Sequence, residues 1–223
     1  MNTIITIGRQ FGSGGHQIGT ELAKEFGIPC YDKELLEKAA KDSGLSKELF
    51  ESQDEKPTGS FLFSLVMDTY SSSRFPSGLY SDMPLNQKIF LAQFEAIKKI
   101  ADQGPCVMIG RCADYALEYN ERCLSVFIHA PLETRIKRIS QLFDISVSKA
   151  KDRIIKTDKS RASYYNYYTS KKWGDMESYN LSIDTGMYGI NGAVDLIKKA
   201  VEIKENATIH HIHEEPFYSS ASI

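Results

Sequence analysis

Ile7-Gly8-Arg9-Gln10-Phe11-Gly12-Ser13-Gly14-Gly15-His16-Gln17-Ile18-Gly19 is the stretch that decides how this chain is read. It follows an apolar, β-branched run at 3–7 and opens a helical pattern, with Ile18, Leu22 and Phe26 at i, i+4, i+8 and a stop at Gly27. Strand, glycine-rich turn and helix in that order aim several backbone N–H groups at one concavity. The helix N-terminus adds its positive dipole end there, so the place suits phosphate. A bare turn needs fewer glycines than the four found within residues 8–15. The loop therefore reads as an anion nest. Two known patterns fit it incompletely. With Gly12 and Gly14 set, the dinucleotide fingerprint G-x-G-x-x-G needs a glycine at Gln17. With its second glycine on Gly14, the pattern G-x-x-x-x-G-K-[ST] puts Arg9 at the first glycine, Gly15 at the lysine and His16 at the hydroxyl residue. The loop alone leaves its class open.

Outward from the loop, short β-like runs alternate with helical patterns. Candidate strands lie at 3–7, 29–31, 106–109, 124–129 and 181–183. Phe90, Phe94, Ile97 and Ile100 give a helix one apolar face, and Ile190, Val194, Ile197 and Val201 give another. This predicts an α/β fold of three layers around a five-stranded parallel sheet, with right-handed crossovers. Residues 44–85 exceed a normal connection and read as an inserted helical subdomain within a domain spanning 1–204. Residues 205–223, with His210, His211 and His213, read as a tail, and no metal site is assigned to them.

Composition sets the outer limits. The chain has 223 residues, with 27 Lys and Arg against 29 Asp and Glu. A net charge of −2 excludes a protein that coats a nucleic-acid polymer by bulk electrostatics. No apolar stretch approaches the ~20 residues of a membrane span. Cys30, Cys106, Cys112 and Cys123 form no close pair, which with the absence of a signal-like N-terminus predicts a cytoplasmic protein with reduced thiols. The oligomeric state is not legible. Charge is unevenly spread, however: residues 133–172 carry +7 and the rest −9. That segment reads either as a solvated helix surface or as a basic lid over phosphate. Arg135 and Arg138 share one helical face at i, i+3, with Ile136, Ile139 and Phe143 anchoring the other side. Gly110-Arg111 closes the third strand and sets an arginine at the carboxyl edge, where open α/β sheets bind ligands.

These features together resemble the cytidylate kinase-like proteins, a branch of the P-loop nucleoside monophosphate kinases. The resemblance runs from Ile4 to about Val201, with the insertion where those kinases carry monophosphate-binding helices. Arg9 through His16 occupy the family's phosphate loop. Tyr31-Asp32 resembles the acidic end of the second strand, and Gly110-Arg111 the Gly-Arg pair whose arginine holds the acceptor phosphate, although Cys112 stands where Asp usually follows. Asp158 and Arg161 resemble an Asp-x-x-Arg pair after the lid, and Asp184-Thr185 the end of the fifth strand near the donor base. The resemblance implies a P-loop kinase fold, ATP and Mg²⁺ as cosubstrate and cofactor, and CMP or dCMP as acceptor. It puts Gly12, Ser13, Gly14, Gly15, His16, Gln17, Asp184 and Thr185 on the donor. Asp32, Arg111, Arg153, Asp158 and Arg161 fall on the substrate, with Arg9, Arg111, Arg135, Arg138 and Arg161 as the catalytic charges. The missing lysine at Gly15 implies that Arg9 or a lid arginine supplies its charge. Ser13 or Thr20 would assist the metal in place of His16.

Two other readings remain open at this point. Gly8-x-x-x-Gly12-x-Gly14, with Tyr167 and Tyr168 each four residues before a lysine, imitates a short-chain dehydrogenase, but no serine stands where its catalytic hydroxyl belongs. Gly15 also suits a module that binds nucleotide without turnover. The tyrosines at 164, 165, 167 and 168 read as helix-packing or base-stacking residues.

Overall fold

The computed structural model describes residues 1–44, 48 and 84–213. The inserted region expected at 44–85 lies outside the described residues except at its edges.

Five parallel strands, β1 (Ile4–Arg9), β2 (Cys30–Tyr31), β3 (Val107–Ile109), β4 (Cys123–His129) and β5 (Leu181–Asp184), lie in the order β2-β3-β1-β4-β5. A dinucleotide-binding sheet runs 3-2-1-4-5-6. The order here differs, and the dehydrogenase reading falls with it. Tyr168 adds to that correction. It is fully buried, its ring stacked 4.1 Å from Phe90, and it offers no hydroxyl to a substrate cleft.

The helices are α1 (Gly15–Phe26), α2 (Lys33–Ser43), α3 (Leu85–Asp102), α4 (Ala113–Ala116), α5 (Leu132–Phe143), α6 (Val147–Thr169) and α7 (Thr185–His213). β1 is buried on both faces because its side chains alternate between two cores. Ile5 and Ile7 meet Ile18 and Leu22 of α1 and Val194 and Ile197 of α7. Ile4 faces the other way, in a core with Phe90, Phe94 and Ile97 of α3 and Tyr164, Tyr165 and Tyr168 of α6. The tyrosine run is thus helix packing. A smaller core of Ile136, Ile139, Ala150 and Ile154 joins α5 to α6.

One boundary moves. The tail expected from 205 begins as helix, because α7 continues to His213. Glu205 explains its attachment: one carboxylate oxygen accepts from Asn2 N, Thr3 N and Thr3 Oγ1, tying the helix to the start of β1. No helix of the described residues is long and apolar enough to cross a membrane.

Candidate active site

The loops after β1 and β3 leave the same sheet edge side by side. Gly110 N donates to Ile7 O (3.0 Å), and Gln10 N donates to Ile128 O of β4 (3.0 Å). Arg9–Gly14 forms the loop over that edge, and α1 begins at Gly15 with Gly14 as its N-cap. Gly12 (φ 81°) and Gly14 (φ 89°) both turn left-handed, a region that costs any side chain ~1–2 kcal/mol.

The loop's shape follows from where its carbonyls go. Arg161 Nη1 donates to Arg9 O (3.2 Å), Arg135 Nη1 to Phe11 O (3.2 Å) and Arg138 Nη1 to Gly12 O (2.9 Å). Thr185 Oγ1 donates to Ser13 O (2.7 Å), and Ser13 Oγ to Gln10 O (2.8 Å). Ile18 N takes Gly14 O (3.0 Å). Every carbonyl from Arg9 to Gly14 therefore has a donor on it. Among the described residues, the N–H groups of Gly12, Gly14, Gly15, His16 and Gln17 have no protein acceptor. Five N–H groups at a helix start, with the carbonyls drawn off them, form a cradle for anionic oxygen.

The arginines divide by role. Arg135, expected to close over the donor, is 7% exposed and sits beneath the loop. Its guanidinium pairs with Asp158 (2.5 Å), whose other oxygen accepts Phe11 N (2.7 Å). Asp158, expected to meet substrate, likewise props the loop from below. Arg138 reaches Gly12 O from the same helical face, as the i, i+3 spacing predicted; burial lowers its pKa. Arg153 lies over the Phe143 ring at 3.9 Å, and Arg161 over Phe11 at 5.7 Å. Phe143, expected to anchor the far side of α5, is 40% exposed and stacks on Phe11 of the loop (centroids 6.4 Å).

Arg111 occupies the neighbouring position. Gly110, Arg111 and Cys112 all have positive φ (74°, 54° and 55°), a strained turn of the kind that collects at functional sites. Arg111 is 4% exposed; its Nη1 donates to Asp32 Oδ1 (2.5 Å) and to Ile109 O (3.0 Å). Asp32, read as either helix cap or acceptor contact, is Arg111's carboxylate, and its other oxygen lies 3.5 Å from His16 Nε2. The structure thus brings Asp32, Arg111 and His16 together. At the far side of the loop, Asp184 accepts Gly186 N (2.7 Å) and Thr185 Oγ1 donates to Ser13 O (2.7 Å), so β5 and α7 abut the loop.

Metal ligation is less well provided. Ser13 is fully buried with its hydroxyl on Gln10 O, and Thr20 Oγ1 donates to His16 O (3.0 Å). Both candidate hydroxyls donate to backbone carbonyls. Among the described residues, no group of three or more His, Cys, Asp or Glu could hold a metal ion.

One pair escaped the sequence reading. Tyr165 Oη of α6 donates to Asp114 Oδ2 of α4 (2.7 Å), two residues past the strained turn. Burial pushes the Asp114 carboxyl up to about 6, and the Tyr165 bond opposes the rise. Its only signal was an acid inside the apolar run Cys112-Ala113-Asp114-Tyr115-Ala116-Leu117.

Comparison with known proteins agrees with this geometry. The model of the "Cytidylate kinase-like family" matches residues 4–187. A cytidylate kinase of Methanocella arvoryzae is 26% identical over 89% of this chain and 97% of its own length. One of Methanopyrus kandleri is 24% identical over 91% and 94%. Among solved structures, an uncharacterized protein from Eubacterium ventriosum superposes with a TM-score of 0.67 at 31% identity, covering 90% of this chain and 98% of that one. A shikimate kinase from Bacteroides thetaiotaomicron shares the fold at TM-score 0.51 and 15% identity, over 91% and 99%. A P-loop kinase sheet, a loop with its N–H groups turned inward and a family match over most of its length lead to one conclusion: the chain is a phosphotransferase belonging to the cytidylate kinase-like family.

Proposed function

We propose that the protein is a nucleoside monophosphate kinase that transfers the γ-phosphoryl group of Mg-ATP to CMP or dCMP. The observation that carries the reading is the phosphate loop, with a donor on each carbonyl from Arg9 to Gly14 and five N–H groups left for phosphate. Arg111, held by Asp32 beside it, supplies the second requirement, a fixed cation at the same sheet edge for the acceptor phosphate.

The acceptor oxygen is anionic at neutral pH, so no strong general base is needed. Rate then comes from holding two phosphates in line and neutralising charge on the transferring group. Gly12 to Gln17 hold the donor phosphates, with Thr185 and Asp184 bracketing the loop on the β5 side. Arg111 orients the acceptor, and Asp32 fixes the plane of its guanidinium. Arg135, Arg138 and Arg161 keep the loop carbonyls turned away. Mg²⁺ would enter with ATP, whose phosphate oxygens would supply ligands independent of the protein. It neutralises phosphate charge when bound.

The choice of CMP rests on the family and on the named relatives. A coupled ADP-release assay with Mg-ATP across CMP, dCMP, UMP and AMP tests it. CMP and dCMP are expected to give the largest kcat/KM, and Arg111→Ala to lower the value for all four monophosphates. If no monophosphate stimulates ADP release while ADP still binds, the protein is a nucleotide-binding module and the kinase reading fails.

A further inference from the structure

The phosphate loop lacks the lysine that its pattern demands, and the space that lysine would enter is filled. A Cβ built on Gly15 would lie 2.6 Å from Arg9 Cβ, closer than real side chains approach, and 3.1 Å from Arg9 Cγ. Arg9 stands where the pattern has its first glycine, and Gly15 where it has lysine. Small residue and long cation have exchanged places across the loop. The stem of Arg9 lies over Gly15, and Arg9 also lines the narrow crevice it shares with Gly110, Arg111 and Arg161. Arg135, Arg138 and Arg161 each hold a loop carbonyl. Drawing Arg135, Arg138 or Arg161 to phosphate would release the carbonyl of Phe11, Gly12 or Arg9 and spoil the cradle. Arg153 rests on the Phe143 ring, beside the loop's outer face.

We propose that Arg9 is a catalytic residue that replaces the phosphate-loop lysine, its guanidinium binding the β/γ-phosphates of the donor, and that position 15 is glycine because Arg9 crosses above it. This rests on the kinase reading above. In the transfer, an acceptor phosphate oxygen bonds to Pγ while the bond from Pγ to the β,γ-bridging oxygen breaks. ADP leaves with that electron pair. Arg9 forms and breaks no covalent bond; it neutralises charge growing on the bridging and equatorial oxygens, and its planar fork can meet two of them at once.

The test relocates the charge. Arg9→Met keeps the stem and removes the cation; the double variant Arg9→Gly/Gly15→Lys restores the ordinary pattern. Two readouts are taken on the purified chain: kcat for ADP release with Mg-ATP and CMP, and calorimetric affinity for ADP and for β,γ-imido-ATP with Mg²⁺. Arg9→Met is expected to lower kcat ~10²–10³-fold, the size of losing one preorganised donor. It should weaken the imido analogue at least tenfold and ADP less than threefold. The double variant should recover at least tenfold in both readouts over Arg9→Met, whereas Gly15→Lys alone should melt earlier from collision with Arg9. Retention of the analogue affinity in Arg9→Met overturns the proposal, as does a folded double variant that stays at the Arg9→Met level. If the parent protein releases ADP with no monophosphate, the acceptor reading fails by itself, and the analogue-over-ADP preference still decides the role of Arg9.

Discussion

The phosphate loop and the Gly110-Arg111-Cys112 turn face one sheet edge but are held in opposite ways. Arginines from two helices, a threonine and a serine fix the loop's carbonyls, and Asp158 takes one of its N–H groups. The turn has three successive left-handed residues, and its Arg111 guanidinium pairs with Asp32. Redundant contacts make the first a rigid receptor in which most single losses are shared among neighbours. The second presents one buried guanidinium at that edge. The same residue type is therefore placed in two ways: Arg135, Arg138 and Arg161 hold loop carbonyls, while Arg111 pairs with Asp32 at the sheet edge.

Removing that guanidinium should have the largest effect. Arg111→Ala is expected to lower kcat/KM for the acceptor about 10³-fold, ~4 kcal/mol of transition-state binding, while ADP affinity changes less than threefold. Equal losses in ADP binding and turnover would mean that the turn and the loop are not separate units.

The loop side breaks through its support. Asp158→Ala leaves the Arg135 guanidinium buried without its carboxylate and Phe11 N without an acceptor. Unpairing a buried charge costs ~3 kcal/mol, read as a fall in the denaturation midpoint with weaker ADP binding. Unchanged ADP affinity in the folded variant would show that the loop holds its shape without this prop. A smaller loss is expected for Gly12→Ala. Its φ of 81° is strained for a side chain, and the new Cβ would lie 3.2 Å from Arg135 O. Together these cost ~2 kcal/mol, checked by the same unfolding and calorimetry.

These supports mark where sequence stops informing. Strand positions followed from short apolar runs between turn residues, and each begins or ends within two residues of its expected place. The phosphate loop and Arg111 were legible because glycine spacing and a strand end are local signals. Arg135 and Asp158 carried the right chemistry in the wrong place. Their positions on α5 and α6 are readable, but which of them turns beneath the loop depends on how two helices pack, and no spacing encodes that. The glycine at 15 reads in sequence as a missing lysine; in space the Arg9 stem lies over it.

The junction between the two regions offers the most specific effect. Asp114 follows the strained turn by two residues, and Tyr165 binds it from α6, the helix that also sends Arg161 to the loop. Tyr165, Tyr179 and Cys123 face this carboxyl, and Lys171 is the cation near it. Burial raises the folded pKa of Asp114 to about 6, whereas an unfolded Asp titrates near ~3.9. The folded state therefore binds the extra proton between those values. The group's contribution to stability is greatest below that window, falls as pH rises through it and is fully lost above about 6. Asp114→Asn keeps an acceptor for Tyr165 and removes the ionisation. The rise from ~3.9 to about 6 already includes the Tyr165 bond, so removing the ionisation should stabilise by up to ~3 kcal/mol above pH 7. Urea melts from pH 4.5 to 8 should show the variant gaining on the parent as pH rises to 6 and level thereafter. A gain independent of pH would trace the effect to packing rather than to this proton, and a loss at pH 8 would mean that the ionised carboxylate holds α4 to α6.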